Sequence, residues 1–256
     1  MQRQRIATVE VAPDALADRV ILVTGAAGGL GSAVARAAAD HGAQVLLLGR
    51  STPPLEVLYD QLLADGAARP SIVPFDLAQA GEPAYEELAE LVGQEFGRLD
   101  GLVHCAGGLD RLSPLAHWRY ADWHQLMQVH VNAAFALTRA MLPLLREAAD
   151  ASTIFTSCEI ALAPRAHWGA YAVAKVALEA LATVLADECG PGRGTRVYAV
   201  DPGPLRTRTR IKAFPAEPRE RLPEPASVAW AYLHLLGSGA VDLHGQCLEL
   251  GPLNSA

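Results

Sequence analysis

A run of four apolar residues, Val20-Ile-Leu-Val23, leads straight into Thr24-Gly-Ala-Ala-Gly-Gly-Leu-Gly31 and then into an alanine-rich stretch of helical length. Strand, glycine turn and helix in that order restrict the chain to a small set of α/β folds. Gly25, Gly29 and Gly31 carry no side chains where backbone N–H groups must approach a ligand closely, and a helix N-terminus favours negative charge. The segment is suited to a dinucleotide pyrophosphate.

The rest of the chain repeats the alternation. Short Val-, Ile- and Leu-rich runs at Val20–Val23, Gln44–Leu48, Ser71–Phe75, Gly101–His104, Thr153–Ser157, Arg196–Val200 and Gln246–Leu250 are separated by helical stretches that begin near Gly29, Pro54, Pro83, Asp122, Gly169 and Ala226. Continuous apolar strands alternating with helices predict a doubly wound, seven-stranded parallel sheet covered on both faces, a single-domain Rossmann fold. Its length suits one domain over residues 19–256, preceded by an irregular arm at 1–18 with at most one strand or turn. Residues 204–225 are rich in proline and hold Arg206, Arg208, Arg210 and Lys212. They read either as a solvated excursion or as a lid that closes over cofactor and substrate.

Composition narrows the partners. A formal charge of −7 disfavours nucleic acid, and no basic stripe opposes that balance. No uninterrupted apolar run reaches the roughly 20 residues that a bilayer requires, and the first residues show no signal-peptide core, so no membrane partner is expected. Cys105, Cys158, Cys189 and Cys247 are widely spaced, as suits reduced thiols in a cytoplasm, and the eight histidines show no metal-ligand spacing, so no metal is expected. The expected partner is a small molecule.

Tyr171 and Lys175 stand four residues apart in Trp168-Gly-Ala-Tyr-Ala-Val-Ala-Lys175. On a helix they share one face, where the ammonium favours the phenolate and makes Tyr171 a candidate general acid/base. Bringing a phenol from its ordinary value of about 10 to near neutrality takes roughly 4 kcal/mol. After the second predicted strand comes Gly49-Arg50-Ser51. Nicotinamide enzymes often carry there a carboxylate for the adenosine ribose. Gly49 has none to repel a 2′-phosphate, and Arg50 offers a planar fork for one, which predicts NADP(H) over NAD(H), with NAD(H) still possible.

Taken together, Thr24-Gly25-x-x-Gly28-Gly29-Leu30-Gly31 and Tyr171-x-x-x-Lys175 resemble the classical short-chain dehydrogenase/reductase family, and the resemblance runs from about Arg19 to Gly251. Within it, Val20-Ile-Leu-Val-Thr-Gly25, Leu47-Leu-Gly-Arg50, Met127-Gln-Val-His-Val-Asn132 and Trp168-Gly-Ala-Tyr171 look like the bacterial YciK-like oxidoreductases. The resemblance implies a hydride-transferring enzyme acting on a small carbonyl or alcohol, with Tyr171 as proton donor, Lys175 orienting the ribose and Asn132 in a proton relay. It further implies cofactor contacts at Asp76 and Leu77, at Cys105-Ala106-Gly107 where the family carries Asn-Ala-Gly, and at Pro202, Gly203 and Thr207. Cys158 occupies the place of the family's catalytic Ser, which implies slower turnover because a thiol is the weaker donor. Ser157 replaces it only if the strand ends or bulges there. Leu109, Leu112, Trp118 and Trp168 are candidates for an apolar pocket or for core. Relatives assemble as homodimers or homotetramers through the helices of Asn132 and Tyr171 and through the last strand. A weakened, cofactor-binding regulator or scaffold is the alternative function.

Overall fold

The computed structural model describes residues 1–67, 70–190 and 194–250. Residues 251–256, the end of the expected domain, lie outside the described residues. Among the described residues, eight parallel strands form one sheet: β1 (Gln2–Ile6), β2 (Val20–Thr24), β3 (Gln44–Gly49), β4 (Ser71–Pro74), β5 (Gly101–His104), β6 (Ala151–Thr156), β7 (Thr195–Asp201) and β8 (Gln246–Leu250). Their spatial order is β1-β8-β7-β6-β5-β2-β3-β4. The α-helices are α1 (Gly29–Asp40), α2 (Thr52–Ala64), α3 (Glu82–Phe96), α4 (Tyr120–Met127), α5 (Ala133–Glu147), α6 (Glu159–Leu162), α7 (Gly169–Cys189), α8 (Arg208–Ala213) and α9 (Ala229–Leu236).

The expected count of seven strands is corrected to eight. Residues 1–18 supply the extra one, because Gln2–Ile6 pairs in parallel with Gln246–Leu250. Gln2-Arg-Gln-Arg-Ile6 is too polar to announce a buried strand, but a charged edge strand is physically sound because charge deters further edge pairing.

Successive strand residues point to opposite faces, and β2 shows how this divides the core. Ile21 and Val23 pack with Val34 of α1, Leu55 of α2 and Leu233 of α9. Val20 and Leu22 pack on the other face with Leu88 of α3 and Leu137 of α5. On that second face α7 sets Leu178, Ala182 and Leu185 against Phe155 and Val197. Helix α7 is long and apolar enough by length and composition to cross a bilayer, but 56% of its most apolar stretch is buried in the fold.

From β2 the chain winds outward through β3 and β4, then returns to lay β5 on the opposite side of β2 and continues to β6 and β7. The winding therefore reverses between β2 and β5. In open parallel sheets the crevice outside such a reversal is where ligands bind. Here it lies between the glycine turn after β2 and the Cys105–Gly107 passage after β5.

Candidate active site

The glycine turn closes because side chains are absent where backbone meets backbone. A Cβ on Gly31 would stand 2.3 Å from the Gly25 carbonyl oxygen, and one on Gly25, whose φ is +63°, would stand 2.8 Å from Ala106 Cα. Gly25 thus lets β2 abut the strand end of β5. The Thr24 hydroxyl accepts from the N–H of Cys105 at 3.1 Å and of Ala106 at 3.0 Å, tying the two strand ends together. Strand cohesion at this point does not depend on a side-chain amide at position 105, and the Cys105 thiol lies 3.5 Å from the Thr156 hydroxyl.

A cavity of about 470 Å3 opens over these ends. Gly28, Gly29, Leu30 and Gly31 form one wall, Cys105, Ala106 and Gly107 the next, and Pro202, Gly203 and Thr207 another. Ser157, Cys158, Tyr171 and Lys175 line the same space. The Gly28 N–H is taken by the Gly25 carbonyl at 2.8 Å, and the side-chain-free backbone of Gly29 leaves the start of α1 open to a pyrophosphate. Residues 204–214 cover the cavity with Leu205, Arg208, Ala213 and Phe214. Gly25 lies behind the turn, and Arg50, Ser51, Asp76 and Leu77 lie outside the cavity lining. Those four sit at the C-terminal ends of β3 and β4, which are joined there by a Phe75 N–H bond of 2.9 Å to the Gly49 carbonyl. Arg50 is exposed, whereas a Cβ on Gly49 would meet Leu55 at 3.2 Å, so a side chain at position 49 would press into the α2 packing.

Tyr171 and Lys175 share one face of α7, as their spacing predicts, and both are buried. Lys175 Nζ donates to the Thr156 carbonyl at 2.7 Å and lies 5.7 Å from the Tyr171 ring centre. The expectation that Lys175 lowers the phenol is not met within the protein alone. Burial, followed by Cys158 and Asp201, raises Tyr171 well above the ordinary phenol value. Burial likewise lowers Lys175, with Cys158, Cys105, Asp201 and Glu179 opposing that shift. Desolvation, the largest cause of both shifts, penalises the charged form of each group.

Cys158 follows the end of β6 and points its Sγ at the Tyr171 hydroxyl, 3.8 Å away. Burial pushes this thiol up, while Lys175 and the Tyr171 contact pull the other way. Ser157 does lie past the strand end, but its hydroxyl donates to Glu179. The oxygen at position 157 is therefore engaged one turn along α7 from Lys175, and the group beside the phenol is sulfur.

Asn132 departs from expectation. It is exposed, its amide donates to Gln128 at 3.0 Å, and it does not line the cavity. His130 lines it instead, buried, with its ring edge-on to Tyr171 at 5.4 Å. Residues two apart on a helix do not share a face, and a π-helical turn at Gln128–Asn132 sets which one turns inward. The signal available in the sequence was a histidine within an otherwise apolar inward stripe. Of the apolar candidates, Leu109 and Trp168 line the cavity, while Leu112 and Trp118 pack behind it. The cationic cluster is mostly paired: Arg206 to Glu224, Arg210 to Glu217 at 2.6 Å, and Lys212 loosely to Asp110 at 3.9 Å. Arg208 faces the cavity without an ion-pair partner among the described residues.

Comparison with known proteins agrees with this geometry. The short chain dehydrogenase family model matches residues 19–218. The uncharacterized oxidoreductase YciK of Escherichia coli K12 is 38% identical over 239 residues, covering 93% of this chain and 94% of that protein. A structure from Escherichia coli CFT073, assigned as a short chain dehydrogenase and complexed with NADPH, superposes with a TM-score of 0.91 at 37% identity, covering 94% of this chain and all of the other. A short chain dehydrogenase structure from Pseudomonas syringae has a TM-score of 0.92 at 43% identity, covering 96% and 99%. With the family model matched over residues 19–218 and these relatives matched along most of the length, the chain belongs to the short chain dehydrogenase family of oxidoreductases.

Proposed function

We propose that the protein is an NADP(H)-dependent oxidoreductase that interconverts a small carbonyl compound and its alcohol, with Tyr171 as the proton donor in reduction. The observation that carries this reading is the convergence of the Tyr171 hydroxyl, Cys158 Sγ and the Lys175 face of α7 on one cavity whose opposite wall is the glycine turn. NADPH, as complexed in the Escherichia coli CFT073 relative, supplies a hydride when bound. Gly28–Gly31 hold its phosphates, Pro202, Gly203 and Thr207 border its nicotinamide end, and Arg50 at the end of β3, beyond the cavity lining, selects the 2′-phosphate, with Ser51, Asp76 and Leu77 nearby. Tyr171 gives its proton to the substrate oxygen as the carbonyl carbon gains the hydride, and Lys175 stabilises the phenolate that remains. Cys158 offers a weak S–H donor to the same oxygen. Residues 204–225 close over the site, and Leu109, Ile160, Trp168 and Phe214 exclude water from it.

Cys158 also favours a second reading, a regulator that binds NADPH and turns over little. NADPH oxidation across a carbonyl panel, with wild type and Cys158→Ser in parallel, separates the two. Wild-type turnover, raised about ten-fold or more by the serine hydroxyl, is the expected outcome. Tight NADPH binding with no consumption by either protein would leave the regulator. Run with NADH, and with Arg50→Ala, the same assay tests cofactor choice: wild type should prefer NADPH and the variant should lose that preference.

We further propose that the chain forms a homodimer or homotetramer through α5 and α7, where Phe135, Val173, Val176 and Val184 are exposed. The last strand offers no free backbone edge for such a contact, because β8 is paired with β1 on one side and β7 on the other.

A further inference from the structure

Helix α8, in the cover of the cavity, carries charge that the proposed chemistry leaves unused. Thr207 caps the helix by accepting from the Arg210 N–H at 3.3 Å. At the other end Ala213 is buried in the apolar cluster that holds Tyr171 and Ile160, and the Phe214 ring packs on Trp168 at 5.9 Å. The helix is thereby fixed between the glycine turn, where a Cβ on Gly29 would meet Thr207 at 3.4 Å, and the Tyr171 end of the cavity. Arg208 and Lys212 stand four residues apart, so they share one face of α8, and both line the cavity.

The carboxylates of the cavity do not answer that face. The lining sets Lys175, Arg208, Arg210 and Lys212 against Glu159 and Asp201. Glu159 is paired with Arg165, while Asp201 accepts from the Gly203 N–H at 3.0 Å and faces Arg3 at 3.9 Å. Of the cations, Lys175 is committed to the Thr156 carbonyl, and Arg210 donates to both carboxylate oxygens of Glu217 and lies over the Phe214 ring at 3.9 Å. Lys212 reaches Asp110 only at 3.9 Å, between side chains that are 46% and 68% exposed. Arg208 has neither an ion-pair nor a hydrogen-bond partner among the described residues. Like charges four apart on a helix repel, and a bound anion between them turns that repulsion into attraction.

We infer that the substrate carries an anionic group, carboxylate or phosphate, apart from its reacting carbonyl, and that Arg208 and Lys212 bind this group at the mouth of the cavity. The inference rests on the reductase reading and narrows its substrate class. A planar guanidinium beside an ammonium suits an oxyanion, the first with a fork of N–H donors and the second as a compact charge. The apolar walls at Leu109, Ile160 and Trp168 hold the uncharged part of the molecule between that anchor and Tyr171.

The test uses NADPH-saturated protein and matched probes: succinate semialdehyde and levulinate against their methyl esters, and dihydroxyacetone phosphate against dihydroxyacetone. Wild type should favour the charged member of a pair by about ten-fold or more in kcat/KM, expressed mainly in KM, and the carboxylate and phosphate arms tell which anion the site takes. In the double variant Arg208→Gln with Lys212→Gln that ratio should fall to near one. Being a ratio within one preparation, it does not depend on the fraction folded. Both cations are exposed, so raising NaCl from about 20 mM to about 500 mM should shrink the ratio in wild type as well. Neutral members handled as well as charged ones, or a ratio that survives in the double variant, would overturn the inference. So would an NADPH dissociation constant raised about ten-fold in the variant with the ratio intact, since the cations would then serve the cofactor. Should wild type reduce no carbonyl at all, the reductase reading falls, and calorimetry of levulinate and methyl levulinate on the NADP+ complex decides the inference: tighter binding of the acid that the double variant loses supports it, and equal binding refutes it.

Discussion

At the scale of single residues, desolvation sets the chemistry at Tyr171 and Lys175. A phenol pushed up by burial remains protonated, which is the form that carbonyl reduction consumes. An ammonium pulled down by burial loses its proton at lower pH than an ordinary lysine. The Lys175 charge that stabilises the product phenolate is present below its lowered value and is lost as pH rises through it, before Tyr171 itself titrates. The reduction rate should therefore be level through neutrality and fall on the alkaline side, in a pH profile of kcat under saturating NADPH. A rate that climbed between about pH 6 and pH 9 would make the deprotonated phenol the active form and reverse the assignment. Cys158 acts on the same scale, since replacing a hydroxyl by a thiol changes the donor strength beside the phenol without changing the shape of the wall.

At the scale of elements, β1 joins the sheet edge to the site. Arg3 pairs with Glu179 at 2.7 Å and Glu249 at 3.2 Å, and lies 3.9 Å from Asp201. Glu179 also accepts from Ser157, and the Asp201 carboxylate accepts from the Gly203 N–H at 3.0 Å. One guanidinium thus faces three carboxylates, from α7, β7 and β8, two of which brace segments that line the cavity. Arg3→Gln should lower stability by about 2 kcal/mol, because it leaves partly buried carboxylates without their counter-charge. The midpoint of urea unfolding measures this, and an unchanged midpoint would mean that the Arg3 ion pairs add nothing to the fold in solution. The π-helical turn between α4 and α5 is a second device of this scale, since it turns His130 inward and Asn132 outward.

At the scale of the whole molecule, the reversal of winding between β2 and β5 creates the crevice, and the exposed faces of α5 and α7 shape assembly. Phe135 and Val184 are 51% and 55% exposed. A double change, Phe135→Glu with Val184→Glu, should convert the assembled protein to folded monomers, read by light scattering with circular dichroism as control. Wild type that is already monomeric would refute the assembly proposal.

The sequence by itself determined the α/β winding, because continuous apolar strands alternating with helices can be buried only in a sheet covered on both faces. It also determined the glycine turn, where Gly25 and Gly31 meet backbone at distances no Cβ tolerates, and the pairing of Tyr171 with Lys175, which helical spacing alone dictates. Tertiary structure alone decided what depends on partners distant in the chain. Gln2–Ile6 becomes a strand only because β8 offers it an edge and Glu179 and Glu249 receive Arg3. Ser157 is committed to Glu179, leaving the thiol of Cys158 beside the phenol, through contacts 22 and 13 residues apart. Whether His130 or Asn132 enters the cavity depends on helical phase at a π-helical turn, which residue spacing does not encode. The charge states of Tyr171 and Lys175 follow from burial, a property of the packed molecule rather than of any local run of residues.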